Sequence, residues 1–353
     1  MGDHSVAPDH GQEEFSEHGV QRRLGGTSLH VLTGVALAFS TYQLIVAAFH
    51  PLSSLITRSL HVGFLLALTF ILFPAFRHGA RLSRVSPGDW LLAAGCFVLS
   101  TYHWVYEADL IQRSGDLTTA DLVIGLTLIV LIFEAARRVM GPALPIICGL
   151  FLAYGLFGQY LPGELAHRGY GLDQIVNQLS FGTEGIYGTP TYVSATYIFL
   201  FILFGSFLEQ AGMIKLFTDF ALGLFGHRLG GPAKVAVFSS ALMGTITGSG
   251  VANVVTTGQF TIPLMKRFGY KAAFAGGVEA TASMGSQLMP PVMGAVAFIM
   301  AETINVPFVE VARAALVPAL LYFGSVFWMV HLEAKRAGLV GLPKDQCPNP
   351  WSA

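Results

Sequence analysis

Apolar residues run along this chain in long blocks separated by short polar stretches, and the block lengths predict the elements. Blocks at about 29–49, 60–76, 89–106, 121–137, 142–161, 190–210 and 312–331 are each long enough for a membrane-crossing helix. Between the fifth and sixth lies a loop of nearly thirty residues, 162–189, with a weakly amphipathic piece near Asp173 to Phe181. Residues 211–228 differ in kind. Lys215, Asp219 and His227 recur there at multiples of four, with Met213, Phe217, Phe220 and Phe225 elsewhere. That pattern predicts an amphipathic helix lying in the membrane interface.

Two further blocks break the pattern. In 232–265, two apolar arms of about fifteen residues, 233–247 and 251–265, flank Thr247-Gly248-Ser249-Gly250. Each arm reaches only ~22 Å, short of a ~30 Å hydrocarbon core. Lys234 stands at the start of the first arm, and Lys266 and Arg267 follow the second. Cations at both ends place both ends on the cytoplasmic side. The expected object is a re-entrant helical hairpin whose Gly/Ser tip stops inside the membrane. The next block, 272–304, is too long for one plain helix and is interrupted at Ser286-Gln287-Leu288-Met289-Pro290-Pro291. Pro290 and Pro291 lack the N–H groups that a continuous helix uses. Two broken elements in succession leave bare backbone polar groups at membrane depth, where protein, an ion or water must satisfy them. Secondary transporters build substrate and cation sites in this way.

Composition agrees. Of 353 residues, 53% are hydrophobic and 12% charged, with mean hydropathy +0.59; soluble domains carry about 25% charged residues. The expected fold is an all-α polytopic membrane protein of about eight spans, plus the re-entrant hairpin and the discontinuous helix. With the N-terminus in the cytoplasm, all but four of the 20 Lys and Arg fall on cytoplasmic segments; Arg58, Arg113, Arg168 and Arg313 are the exceptions. That agreement requires the hairpin to be re-entrant. Residues 1–28 form a polar leader, too long and acidic for a signal n-region, so the first span is expected to be retained. Residues 29–140 make four spans with little internal Gly or Pro. Residues 141–342 are rich in both, with nine glycines between Gly244 and Gly294, and 343–353 form a tail. No internal repeat is evident. The net charge of −1 says little about partners, and no nucleic-acid partner is expected.

The candidate chemistry gathers at the breaks. Thr245, Thr247, Ser249 and Asn253 surround the tip, with Thr256 and Thr257 just beyond. Their oxygens are hard, neutral ligands of the kind a dehydrated Na⁺ accepts, and carbonyls freed at the tip and over 285–290 would complete the shell. The same small and hydroxyl residues also serve helix packing. Glu279 lies eight residues past Lys271, about 12 Å along a helix. A carboxylate at that depth is either functional or held by neighbouring Ser and Thr as a helix tie. Glu134 is placed to pair with Arg137 and Arg138, and His103 and Trp104 read as interfacial belt residues. Cys96, Cys148 and Cys347 have no metal-like spacing. There is no His-Glu-x-x-His pattern, no phosphate loop and no Ser-His-Asp set, so no enzyme is expected.

The stretch Gly244–Met300, with GTITGSGVANVVTTGQFTIPLMKRFGY and GGVEATASMGSQLMPPVMGAVAFIM, closely resembles the large membrane subunit of tripartite ATP-independent periplasmic (TRAP) transporters. It is most similar to the TAXI branch, in which small and large membrane subunits are fused; 29–140 resembles the small subunit. The resemblance implies a bacterial inner-membrane permease that imports a small organic acid from a periplasmic substrate-binding protein. Transport would be driven by Na⁺ and would use an elevator motion, with 211–228 as an arm helix and no other cofactor. It implies a Na⁺ site at Ser249 and Asn253 of the tip and at Gly285, Leu288 and Pro290 of the break, the last three largely through carbonyls. Substrate would lie near Thr247, Gly250 and Thr281, facing a second hairpin. The family's large subunit carries a second, inverted half that does not follow here, so the chain is expected to be the N-terminal part of a longer permease. Alternative readings are a non-transporting scaffold or assembly subunit, and a carboxylate carrier that needs no binding protein.

Overall fold

A computed structural model describes residues 21–22, 24–76, 84–344 and 347–349. The expectations for most of the polar leader, for Arg23, Arg77 and Arg81 of the charge count, and for part of the tail lie outside the described residues. Every regular element among the described residues is helical. In order these are α1 (Thr27–Phe49), α2 (Ser54–Leu72), α3 (Pro87–Val105), α4 (Glu107–Gln112), α5 (Thr119–Met140), α6 (Ala143–Phe157) and α7 (Leu172–Val176). There follow α8 (Thr189–Val193), α9 (Phe199–Gln210), α10 (Met213–Phe225), α11 (Gly231–Thr247), α12 (Gly250–Arg267), α13 (Ala272–Met284), α14 (Ala295–Thr303) and α15 (Phe308–Arg336). Among the described residues, six helical stretches are long and apolar enough to cross a membrane: α1, α2, α5, 143–160, 189–210 and α15. The remaining apolar block, 89–106, is α3, with 19 residues, and the broken helix is α13–α14.

The contacts divide the chain into two compact units, 1–42 with 51–188 and 43–50 with 189–353. The first unit runs on past residue 140 because the segment after α6 packs on α5. A Cβ on Gly125 of α5 would lie 2.5 Å from Val176 and 2.8 Å from Phe181, so only glycine lets that segment seat. Ser180 Oγ donates to Gly125 O at 3.0 Å. His103 is also held there, fully buried, with Nε2 2.9 Å from Ser180 O and its ring stacked on Phe181. His103 is thus not a belt residue. Its neighbour Trp104 is 54% exposed.

The core of the first unit is Leu66, Phe70, Cys96, Leu128, Leu131 and their neighbours from α2, α3 and α5. Arginines close one end. Arg22 binds Asp89 and donates to Phe70 O and Ile71 O at 2.9 and 2.8 Å. Arg138 donates to Asp89 Oδ1 at 2.7 Å and Phe73 O at 3.1 Å. Asp89, at the start of α3, thereby gathers both guanidiniums over the carbonyls that α2 leaves unpaired at its C-terminus. Glu134 pairs with Arg137 and Arg138, as their spacing predicted.

In the second unit the core is built from small residues of α11 and α13 against α15: Ala233, Ala236, Ala275, Ala282, Phe323 and Val330. Small residues let helix backbones approach where lipid offers no hydrophobic gain. The outward face of α15 exposes Leu316, Leu320, Leu321 and Trp328, a surface suited to hydrocarbon. Span six is not a plain helix, because its middle, Ser194–Ile198, winds as a π-helical turn.

Candidate functional site

The site grows from a two-residue tip. Helix α11 ends at Thr247, Gly248 takes φ +58, and Ser249 is extended. A left-handed glycine is the common way to stop a helix, and Ser249 then caps α12, its Oγ accepting from Ala252 N at 3.3 Å. The arms pack side by side. Their observed limits, 231–247 and 250–267, fall within two residues of the apolar blocks.

Glycines press this hairpin onto the interrupted helix. A Cβ on Gly244 would lie 2.8 Å from Ser286 Cα, and one on Gly248 would lie 1.9 Å from Met293 O. One on Gly250 would lie 2.6 Å from Met284 Sδ. The interruption consists of a 3₁₀ turn, Gly285–Gln287, and a non-helical link to Gly294. The tip and the break are thus in backbone contact.

Polar side chains tie the same elements. Asn253, fully buried, donates from Nδ2 to Ser240 O at 2.9 Å and to Ser286 Oγ at 2.6 Å. It joins both arms to the break. Asn253, Thr257 and Thr261 follow at four-residue intervals and share one face of α12. Glu279, fully buried, accepts from Thr257 and Thr261 of α12, from Ser240 of α11 at 3.2 Å and from Ser283 at 3.0 Å. The hydroxyl cage offered for Glu279 as one of two readings is therefore present.

A cavity of about 890 Å³ opens at the tip. Thr247, Gly248 and Ser249 line it from the hairpin, Gln287, Leu288 and Met293 from the break, and α14 and α15 form its walls. Of the residues expected to hold a cation, Ser249 and Leu288 line the cavity, while Asn253 and Gly285 are buried behind it and Pro290 is half-buried outside its lining. Gly285 O already accepts from Leu288 N at 3.0 Å. The carbonyls of Thr247, Leu288 and Pro290 receive no hydrogen bond among the described residues. Ser249 Oγ and the unpaired carbonyls of Thr247 and Leu288, at the cavity, are hard, neutral oxygens of the kind Na⁺ accepts; Asn253 Oδ1 lies behind them, 3.4 Å from Thr257 Oγ1. Of the residues expected near substrate, Thr247 lines the cavity. Gly250 packs against Met284, and Thr281 is exposed on α13, its carbonyl accepting from Tyr322 Oη at 2.7 Å. Gln287 and Ser286 were not singled out from sequence, although both lie within the break that was.

Multiple apolar helices long enough to cross a membrane define a multi-pass membrane protein. Residues 127–353 match the family described as "Tripartite ATP-independent periplasmic transporter, DctM component", and the chain belongs to that family. Among its relatives are a C4-dicarboxylate TRAP transporter large permease protein DctM of Rhodobacter capsulatus, 28% identical over 43% of this chain and 38% of its own length. A sialic acid TRAP transporter large permease protein SiaM of Vibrio cholerae is 26% identical over 47% and 38%. A putative TRAP transporter large permease protein of Haemophilus influenzae is 27% identical over 41% and 33%. The chain thus spans well under half the length of these relatives.

Proposed function

We propose that this chain is the N-terminal part of a TAXI-type fused permease that couples import of a small organic acid to Na⁺. The observation that carries the reading is the contact between the hairpin tip and the broken helix at the mouth of one cavity. Both termini of the hairpin lie on the cytoplasmic side of a bacterial inner membrane in this reading, as does the N-terminus of the chain. Substrate comes from a periplasmic binding protein, as the TRAP relationship suggests, and the remaining half of the permease supplies the facing part of the site.

Ser249 Oγ, Asn253 Oδ1 and the carbonyls at Thr247, Leu288 and Pro290 would hold the ion; when bound, Na⁺ contributes the positive charge that favours an anionic substrate beside the tip. Thr247 and Gln287 then offer hydrogen bonds to that substrate, and the apolar walls exclude water. Asn253 and Glu279 lock α11, α12 and α13 together, so tip and break move as one body. That suits an elevator motion in which residues 29–140 stay fixed and α10 serves as the arm. The test is Na⁺-dependent uptake into proteoliposomes by the intact permease with its binding protein. Ser249→Ala with Asn253→Ala should raise the Na⁺ concentration for half-maximal uptake at least tenfold, from the loss of two ion ligands at about 1 kcal/mol each. Unchanged Na⁺ dependence would exclude this cation site.

A further inference from the structure

The oxygen set at the tip is neutral, so nothing in it offsets the charge of a cation drawn from water into the membrane interior. We propose that Glu279 supplies that charge: it is the fixed anion that balances the cation at the hairpin tip, acting through Thr257 and Asn253 without ligating the ion. This rests on the Na⁺ reading above and adds a positioning residue to it.

The argument begins with what Glu279 lacks. It is fully buried, and among the described residues no Lys, Arg or His lies within ion-pair distance of it. The charged and titratable groups of the elements packed round it are engaged elsewhere or lie at helix ends. On α11, Lys234 Nζ is 3.1 Å from His331 Nδ1 of α15 and sits over the Phe327 ring. Lys266 and Arg267 are exposed at the end of α12, and Lys271 is exposed ahead of α13. On α15, Glu333 and Arg336 pair with each other near its end, with Lys335 beside them, and Glu310 and Arg313 lie in its first two turns. Four hydroxyls solvate the carboxylate but bring no net charge. A buried anion of this kind calls for a counter-charge.

Geometry supplies the other half. Thr257 Oγ1 binds Glu279 Oε1 and lies 3.4 Å from Asn253 Oδ1. Asn253 is one helical turn from Thr257, about 6 Å along α12, and reaches Ser286 in the break. The carboxylate therefore sits about one turn behind the proposed ion. Four hydroxyls surround the carboxylate at hydrogen-bond distance. Two opposite unit charges about 8 Å apart at an effective dielectric constant near 20 attract strongly enough to change a binding constant by at least tenfold.

The test is direct Na⁺ binding, by radiotracer and by Na⁺-induced thermal stabilisation, to the complete permease in nanodiscs. Glu279→Gln keeps the size and removes the charge; its NH2 replaces one accepting oxygen, and the Thr261 hydroxyl, which can donate to Thr257 O at 3.0 Å, is free to accept from it. It should bind Na⁺ about tenfold more weakly while keeping its unfolding temperature in Na⁺-free buffer near that of the parent. Glu279→Asp, which keeps the charge, should stay within a few-fold of the parent; this variant carries the test if the Gln form fails to fold, and a folded Asp form that binds tenfold more weakly would overturn the proposal. Equal Na⁺ affinity in the parent and the Gln variant would overturn the charge role of Glu279 and leave the tip site standing. Absence of Na⁺ binding in the parent would overturn the site and this inference together.

Discussion

Gly248→Ala is expected to unseat the hairpin tip and abolish Na⁺-dependent uptake. Two costs act at once. The residue sits at φ +58, where an L side chain costs about 1–2 kcal/mol. Its new Cβ would also lie 1.9 Å from the carbonyl oxygen of Met293. That obstacle is backbone, so relief requires tip and break to separate, at a further cost of about 1–3 kcal/mol. Two controls divide the causes. Gly248→Asn, a residue more tolerant of left-handed backbone, still carries the clash and should rescue little. Gly212→Ala faces a similar φ of +90 with nothing within 4 Å, so it should cost only the conformational part. Thermal unfolding of the three variants in nanodiscs reads the difference. A Gly248→Ala protein as stable and active as the parent would mean that tip and break are not in contact.

Asp89→Asn should be the most damaging single change in the first unit. Asp89 balances Arg22 and Arg138, whose side chains are 2% and 3% exposed. The substitution keeps the shape and removes the charge. Arg138 retains Glu134 at 2.8 Å, and Arg22 retains the carbonyls of Phe70 and Ile71, but the two guanidiniums lose the buried carboxylate that they share. Breaking a buried pair in this way costs about 3–5 kcal/mol, or roughly 10 °C in unfolding midpoint for a unit of this size. Arg336→Ala is the matched control: its pair with Glu333 holds an arginine side chain that is 81% exposed, and such pairs are worth at most about 1 kcal/mol. Equal stability losses for the two substitutions would contradict the arginine clasp.

What could be read from the sequence was local. Block lengths, the Gly/Ser tip and the Pro290-Pro291 step marked the hairpin arms to within two residues and located the break, because those features depend on neighbours in the chain. The partners of Glu279 were less legible. Thr257 and Thr261 show their four-residue spacing, but Ser240 lies 39 residues away on the other arm, and only packing brings it in. His103 was misplaced for the same reason. Periodicity suggests how deep a residue sits but not which neighbour covers it, and the segment that buries His103 is 77 residues downstream. Arg22 offered no sign of burial either, standing in a polar leader with its carboxylate 67 residues on. Gly250 and Thr281 were assigned to substrate by likeness, and the cavity reaches neither of them.

The central claim is that the chain turns back at Ser249 inside the membrane, leaving tip and break to form an ion site. Its most direct test is the sidedness of the two ends of the hairpin. His227 and Lys271 are both exposed just outside the arms, and each can be made the sole reactive thiol after Cys148 and Cys347 are changed to serine, with Cys96 left buried. With membrane-impermeant maleimide on oriented vesicles, His227→Cys and Lys271→Cys should both label from the cytoplasmic face. Labelling from opposite faces would make 231–267 a crossing element and contradict the account.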